Sequence, residues 1–208
     1  MTPKTSKRAT PNQNRSQKTL ERVLNAAAEL LEEVGFERLS TNMICKRAGL
    51  TPPALYRYFP NKYAVLKELG ERLMEAQNAL FDDWSPAAEP LTPQIERFLR
   101  ETLSVTRSFK AGGWIMRSLH ATPVLSDVRV GSHRRMATLM TERAIEHWPD
   151  LNADEVFASA RVGIELGYAL IEMLFDEPSM DEATAIRMTA EILAQNQRRF
   201  LQANTSQP

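Results

Sequence analysis

The sequence predicts an all-α fold on three observations. Apolar residues recur at three- and four-residue steps along most of the chain, the period of helices with one buried face. No run alternates apolar and polar residues long enough to make a strand. At 43% hydrophobic and 25% charged, the chain can bury a core and is not disordered as a whole.

Net charge is zero, which alone would argue against a nucleic-acid binder, but the charge is unevenly spread. Residues 1–62 hold 11 Lys and Arg against 5 Asp and Glu, net +6; residues 63–208 hold 15 against 21, net −6. A basic front and an acidic rear suggest two jobs in one chain. One cysteine excludes an internal disulfide framework. No stretch approaches 18 uninterrupted apolar residues, so no membrane span is expected, and cytoplasmic location follows by default.

The elements follow in order. Residues 1–19 carry five cations and no acid and have no apolar face, so a basic disordered arm is expected. Leu20, Val23, Leu24, Ala27, Leu30, Leu31 and Val34 form the stripe of a first helix, which Gly35 stops. Ser40 and Thr41 offer an N-cap to a short helix over 42–48, and Gly49 ends it. Thr51 before Pro52 and Pro53 starts a third helix, which Pro60 confines to Tyr58 or before. Asn61 caps a fourth helix over 62–84. The three prolines of segment 85–93 break the pattern, and helices follow at about 93–109, 112–120, 123–148, 153–176 and 180–202. Three domains result: the arm, a unit over 20–62 and a helical unit over 63–208, the fourth helix joining the last two without a linker.

Short helices around the turn Ala48-Gly49-Leu50 have the helix-turn-helix arrangement, whose second helix enters a major groove. Thr51, Tyr56, Arg57, Tyr58 and Lys62 crowd into twelve residues without an acid. Hydroxyls and cations are the groups that hold phosphate oxygens.

The residues here carry a resemblance. Val23-Leu24-Asn25-Ala26-Ala27, Gly35-Phe36, Ser40-Thr41, Ile44, Ala48-Gly49-Leu50-Thr51 and Leu55-Tyr56-Arg57-Tyr58-Phe59-Pro60-Asn61-Lys62 resemble the N-terminal domain of tetracycline-repressor (TetR) family transcriptional regulators, over roughly residues 20–66. The resemblance implies a helix-turn-helix domain joined through a long fourth helix to a helical ligand-binding and dimerisation domain. It implies phosphate contacts at Thr41, Tyr56, Tyr58 and Lys62, a base within reach of Asn42, and bases facing Pro52, Pro53 and Ala54. Pro53 and Ala54 depart from the family's usual Ser or Thr beside Gly. They offer only apolar contacts, so base readout falls more to Asn42, Arg57 and the arm. Cys45 replaces a small alanine and is expected in the small core.

The last two helices, by the same resemblance, pair with their copies in a homodimer. Ile164, Ile171, Ile186, Ala190, Leu193, Gln197 and Phe200 are the expected interface residues, the alternative being that these helices are the core of a monomer. The resemblance also implies a cavity among helices four to eight for a small, largely apolar effector. Met-rich walls repack around guests of varied shape; Trp84, Trp114, Met136 and Met140 are its candidates. His120 is either a ligand partner or a core histidine. Arg161, Glu165, Tyr168 and Glu172 share one stripe of an apolar helix, readable as a solvated face, a salt-bridge set across a dimer or a polar cavity wall.

The expected function is a DNA-binding regulator, a bacterial repressor that binds an inverted repeat as a homodimer and is released by its effector. Alternatives are a helical enzyme with a similar front and a DNA-binding regulator without a small-molecule ligand. Against the enzyme, the three histidines have no i+4 partner of the zinc-helix kind, and neither a phosphate loop nor a nucleophile elbow occurs. No metal, cofactor or catalytic residue is expected.

Overall fold

The computed structural model describes the backbone of residues 11–82, 84–86 and 90–205 and the side chains of residues 15–82, 84–86 and 90–198. Among these residues the chain is helical, without a strand: α1 (Pro11–Arg38), α2 (Thr41–Ala48), α3 (Pro52–Tyr56), α4 (Lys62–Asn78), α5 (Leu91–Ser108), α6 (Gly112–Ala121), α7 (Ser126–His147), α8 (Ala153–Asp176) and α9 (Glu182–Thr205). Single 3₁₀ turns follow α4 at Ala79–Phe81 and precede α7 at Pro123–Leu125. No described helix is long and apolar enough to cross a membrane. Two compact units result, one up to Leu69 and one from Gly70. Their division falls inside α4, beyond the change of charge sign near residue 62.

The first helix departs from expectation at its start. Residues 11–19, expected in the disordered arm, are already α1; residues 1–10 lie outside the described residues. Pro11 suits a first helical position, because its missing N–H would have no partner there. Gln17 donates to Glu21 across one turn (2.9 Å) and Thr19 to the Arg15 carbonyl (3.0 Å). Residues 15–18 of this extension are exposed, and residues 11–19 include no large apolar side chain, so the sequence has no apolar stripe to announce it. Gly35, at φ 73°, interrupts the helical backbone of α1, a conformation that glycine adopts without steric cost.

Around α1 the first unit closes a small core of Val23, Leu24, Ala27 and Leu31 with Ile44 of α2, Leu55 of α3, Phe59, and Val65 and Leu66 of α4. Cys45 is buried with them as expected, and burial pushes its thiol pKa up. In the second unit α7 packs on α8 and α5 on α9. Leu103, Ile115, Leu119, Leu125, Ile171 and Ile186 are fully buried there. Arg143 of α7 fixes the chain after α4 by donating to the carbonyls of Phe81 (2.7 Å), Asp82 (2.8 Å) and Trp84 (2.6 Å). That clamp positions Trp84 for the cavity described below.

Candidate functional site

Two places in the molecule have the makings of a site, one in each unit. The first is the helix-turn-helix. Ser40 caps α2 by accepting from the Met43 N–H (3.3 Å). Gly49 closes α2 in the left-handed conformation at φ 61°, which positions α3 three residues later. Arg22 of α1 donates to the carbonyls of Ala48 and Gly49, pinning the turn from behind. Arg47 is held back by Glu33 (2.6 Å) and Glu29 (3.2 Å).

What remains outward is polar and cationic. Asn42, Lys46, Thr51, Pro52, Pro53, Tyr56 and Arg57 are exposed, and Ala54 is half-buried. From residue 38 to residue 67 the chain contains no Asp or Glu. The hydroxyls of Thr41 and Tyr56 share a hydrogen bond of 3.1 Å, which brings the start of α2 to the end of α3. Tyr58 accepts from Ser16 (3.2 Å) and Arg57 (3.4 Å), and these bonds lower its phenol pKa. The α1 extension thus reaches the same face.

Lys62 has a structural task that its sequence did not reveal. Its ammonium donates to the carbonyls of Phe36 (3.2 Å) and Glu37 (3.4 Å) at the end of α1 and lies 4.6 Å from the Phe36 ring centre. An ammonium has three donors, so these two bonds leave one for an anion.

The second place is a cavity of about 110 Å³ inside the second unit. Helices α5, α7, α8 and α9 and the end of α4 wall it, with Phe81, Phe98, Met136, Met140, Ile164 and Ile171 giving an apolar surface. Trp84, Tyr168, Leu193 and Gln197 also reach it. Polar groups on the wall are tied in pairs and chains. Tyr168 donates to Gln77 (2.7 Å), Gln77 to Thr106 (2.7 Å), and Thr106 to the Thr102 carbonyl (2.7 Å). Burial raises the Tyr168 phenol pKa, which keeps it a donor. Asn78 pairs with Ser132 (2.9 Å), and Trp84 donates to Gln94 (3.0 Å).

His133 is among the wall residues that sequence reasoning missed. It is 1% exposed and lies 4.2 Å from the Tyr168 ring, centre to centre. Its Nδ1 is 3.2 Å from Glu165, which also accepts from Arg129 (2.9 Å) and Arg161 (2.6 Å). Burial, offset only in part by Glu165, pushes the imidazole pKa down to about 4. Burial alone would raise that of Glu165, but the bonds from Arg161 and His133 and the charge of Arg129 outweigh it, down to about 2. The signal was present: His133, Met136 and Met140 are spaced three and four apart on one helix face.

The structure sorts the other expected ligand residues. Trp84, Met136, Met140 and Tyr168 line the cavity. Trp114 does not: it is 37% exposed, beside the Arg117 guanidinium, and Gly113 next to it closes on Phe175 instead. His120 does not either; it is exposed and pairs with Glu172 (3.2 Å). Arg161 and Glu165 stand behind His133 rather than on the wall.

Expected interface residues are likewise redistributed. Ile171, Ile186, Ala190 and Leu193 are buried within one chain, and Ile164 and Gln197 line the cavity. The side chain of Phe200 lies outside the described residues. An apolar stripe marks the face that is most apolar, and on α8 and α9 that face is turned to the chain's own core. Among the described residues, the large apolar side chains exposed on these helices are Val162 (55%), Leu166 (44%), Met188 (52%) and Ile192 (59%).

Gly163 gives the cavity part of its room. A Cβ there would meet only Leu193, at an ordinary 3.9 Å. Gly163→Ala is therefore expected to stabilise the chain by about 0.5–1 kcal/mol, through helix propensity, while narrowing the cavity. Urea denaturation checks the sign, and a destabilised variant would mean that the wall has no slack.

Comparison with known proteins bears on the first unit. Residues 23–69 match the family described as bacterial regulatory proteins, tetR family. The tetracycline repressor protein class C of Escherichia coli is 39% identical over 69 residues, 31% of this chain and 32% of that protein. The HTH-type transcriptional regulator EthR of Mycolicibacterium smegmatis is 32% identical over 83 residues, 40% of this chain and 37% of that protein. The chain thus spans about a third of the length of these curated relatives. The fold as a whole is similar to that of Salmonella enterica GusR, with TM-score 0.66 and 20% identity over 91% of this chain and 100% of that one. The helix-turn-helix unit, over residues 23–69, is thus what this chain shares with the tetR family of bacterial regulatory proteins.

Proposed function

We propose that the protein is a transcriptional repressor that binds an inverted repeat of double-stranded DNA as a homodimer and releases it when a small, largely apolar molecule occupies the cavity. The observation that carries the DNA reading is the exposed face of α2, its turn and α3. Asn42, Lys46, Thr51, Tyr56 and Arg57 are outward on a stretch of thirty residues without an acid. Phosphate contacts give such a surface its affinity and register, and base contacts near the start of α3 give it sequence preference. Pro52 and Pro53 can touch only apolar base edges such as a thymine methyl, so Asn42 and Arg57 supply the polar readout. A cavity molecule acts by favouring the state that does not bind DNA. The names of the relatives, tetracycline repressor protein and transcriptional regulator, support this reading.

Fluorescence anisotropy with duplexes from the DNA flanking the gene tests it. The full chain should bind one of them far more tightly than an unrelated duplex, with log affinity falling linearly against log salt. Equal binding to all duplexes would sink the specific-regulator reading. Lys62→Ala is expected to weaken every duplex alike and to reduce the salt slope by about 0.9 per lost phosphate contact. It should also cost about 1 kcal/mol of stability, since the α1 carbonyls lose their donor. A lowered melting temperature with an unchanged salt slope would leave Lys62 as a clamp on α1 and nothing more.

A further inference from the structure

We infer that the Nε2 atom of His133 is the head-group acceptor of the cavity, and that the occupant is an uncharged amphiphile with an O–H or N–H donor at one end and an elongated apolar body. This rests on the proposal that the cavity takes a small molecule.

The tautomer follows from the partners. Glu165 is held as a carboxylate by Arg129 and Arg161, and a carboxylate can only accept. The His133 Nδ1 that faces it at 3.2 Å therefore carries the proton. In the neutral ring Nε2 is then a lone pair. That atom is buried and has no hydrogen-bond partner, in a ring that lines the cavity. An unpaired buried acceptor is costly, and a donor entering the cavity removes the cost. The buried orphans elsewhere in the same cluster, Arg129 Nε and Arg161 Nη1, belong to side chains that are not on the wall. Gln77, Tyr168, Asn78 and Trp84 on the wall are already paired.

Charge and shape narrow the class further. A carboxylate head is acceptor-only and brings no donor to the Nε2 lone pair, so an anion is disfavoured. A second cavity of about 200 Å³, reaching Trp148, Leu151 and Val156, shares Trp84, Met140 and Gln197 with the first. The apolar space thus continues past the first cavity along these shared residues, and the His133 acceptor lies on the wall of the first part only.

Calorimetric titration of the full chain with 1-decanol, its methyl ether and decanoate tests the inference. The alcohol should bind at least about 10-fold more tightly than the ether, which keeps the oxygen and loses the donor; decanoate should bind more weakly still. His133→Phe should bring the alcohol down to the ether's affinity and leave the ether unchanged. Nitrogen NMR of the imidazoles in the unaltered protein, which has three histidines, gives a readout that does not depend on a variant folding. His133 should show a protonated Nδ1 and a bare Nε2 whose resonance moves with the alcohol and not with the ether. Ether or decanoate binding as tightly as the alcohol, or a proton found on Nε2, would overturn the head-group assignment and leave the cavity a binding site. Failure of all three probes to bind would overturn the cavity reading with it, and would leave the DNA reading to its own test.

Discussion

Acidification from pH 6.5 to pH 4 is expected to destabilise the folded chain by up to about 3 kcal/mol through His133 alone. In the unfolded chain its imidazole takes up a proton near 6.5, whereas in the fold burial defers this to about 4. Between those values the unfolded state binds more protons than the folded one. The contribution is therefore fully present above pH 6.5 and is lost as pH falls toward 4. Groups facing the ring set the size of the effect. Glu165 from α8 favours the charged ring, and Arg129 from α7 with Arg161 from α8 oppose it. The Tyr168 ring packs against one face and contributes burial, not charge. Below pH 4.5 Glu165 adds a loss of its own, because its folded pKa of about 2 lies below the ordinary carboxyl value. Melting temperature against pH is the measurement. His133→Phe should flatten the curve between pH 6.5 and 4 and soften the fall below 4.5, because Glu165 loses the His133 bond and keeps Arg161 and Arg129. A wild-type curve flat over pH 4–6.5 would mean that water reaches His133.

How much of this was legible beforehand depended on which physical signal each feature leaves in sequence. Helix α8, read as 153–176, spans Ala153–Asp176, because Asn152 caps it by accepting from Asp154 and Glu155 and a long apolar face fills it. Helix α2 and its turn were legible through Ser40 and Gly49, residues whose caps are local chemistry. The start of α1 was not, because a run of polar residues carries no apolar periodicity. Cavity residues divided along the same line. Met136 and Met140 were found as apolar bulk, whereas His133 escaped because its role depends on a carboxylate 32 positions away. The stripe of Arg161, Glu165, Tyr168 and Glu172 was left among three readings. Tyr168 proves to be wall, and the Arg161–Glu165 pair proves to be the support of His133.

Ile192→Glu is expected to weaken self-association by at least about 10³-fold. The proposed homodimer needs an apolar face, and the chain exposes one on α8 and α9, where Val162, Leu166, Met188 and Ile192 are between 44% and 59% exposed. Ile192 is the most exposed of these four, and no described hydrogen bond or ion pair ties its side chain. Large exposed apolar residues gathered on neighbouring helices are the mark of a surface that is covered in the working state. In a symmetric pair each substitution counts twice, so two carboxylates enter one interface. A buried charge without a partner costs several kcal/mol, and a factor of 10³ corresponds to about 4 kcal/mol. Because Ile192 is exposed in the single chain, the fold should survive, with a far-UV spectrum and a melting temperature at low concentration close to those of the monomeric wild type. Sedimentation across a concentration series should show wild type at twice 23.6 kDa and the variant at once that mass. Operator affinity should fall with dimerisation, since a half-site held by one short recognition helix is bound weakly. Ile186→Glu is the contrast: that side chain is fully buried within the chain, so the substitution should unfold the protein. A variant Ile192→Glu that sediments as the wild-type dimer would move the interface off this face.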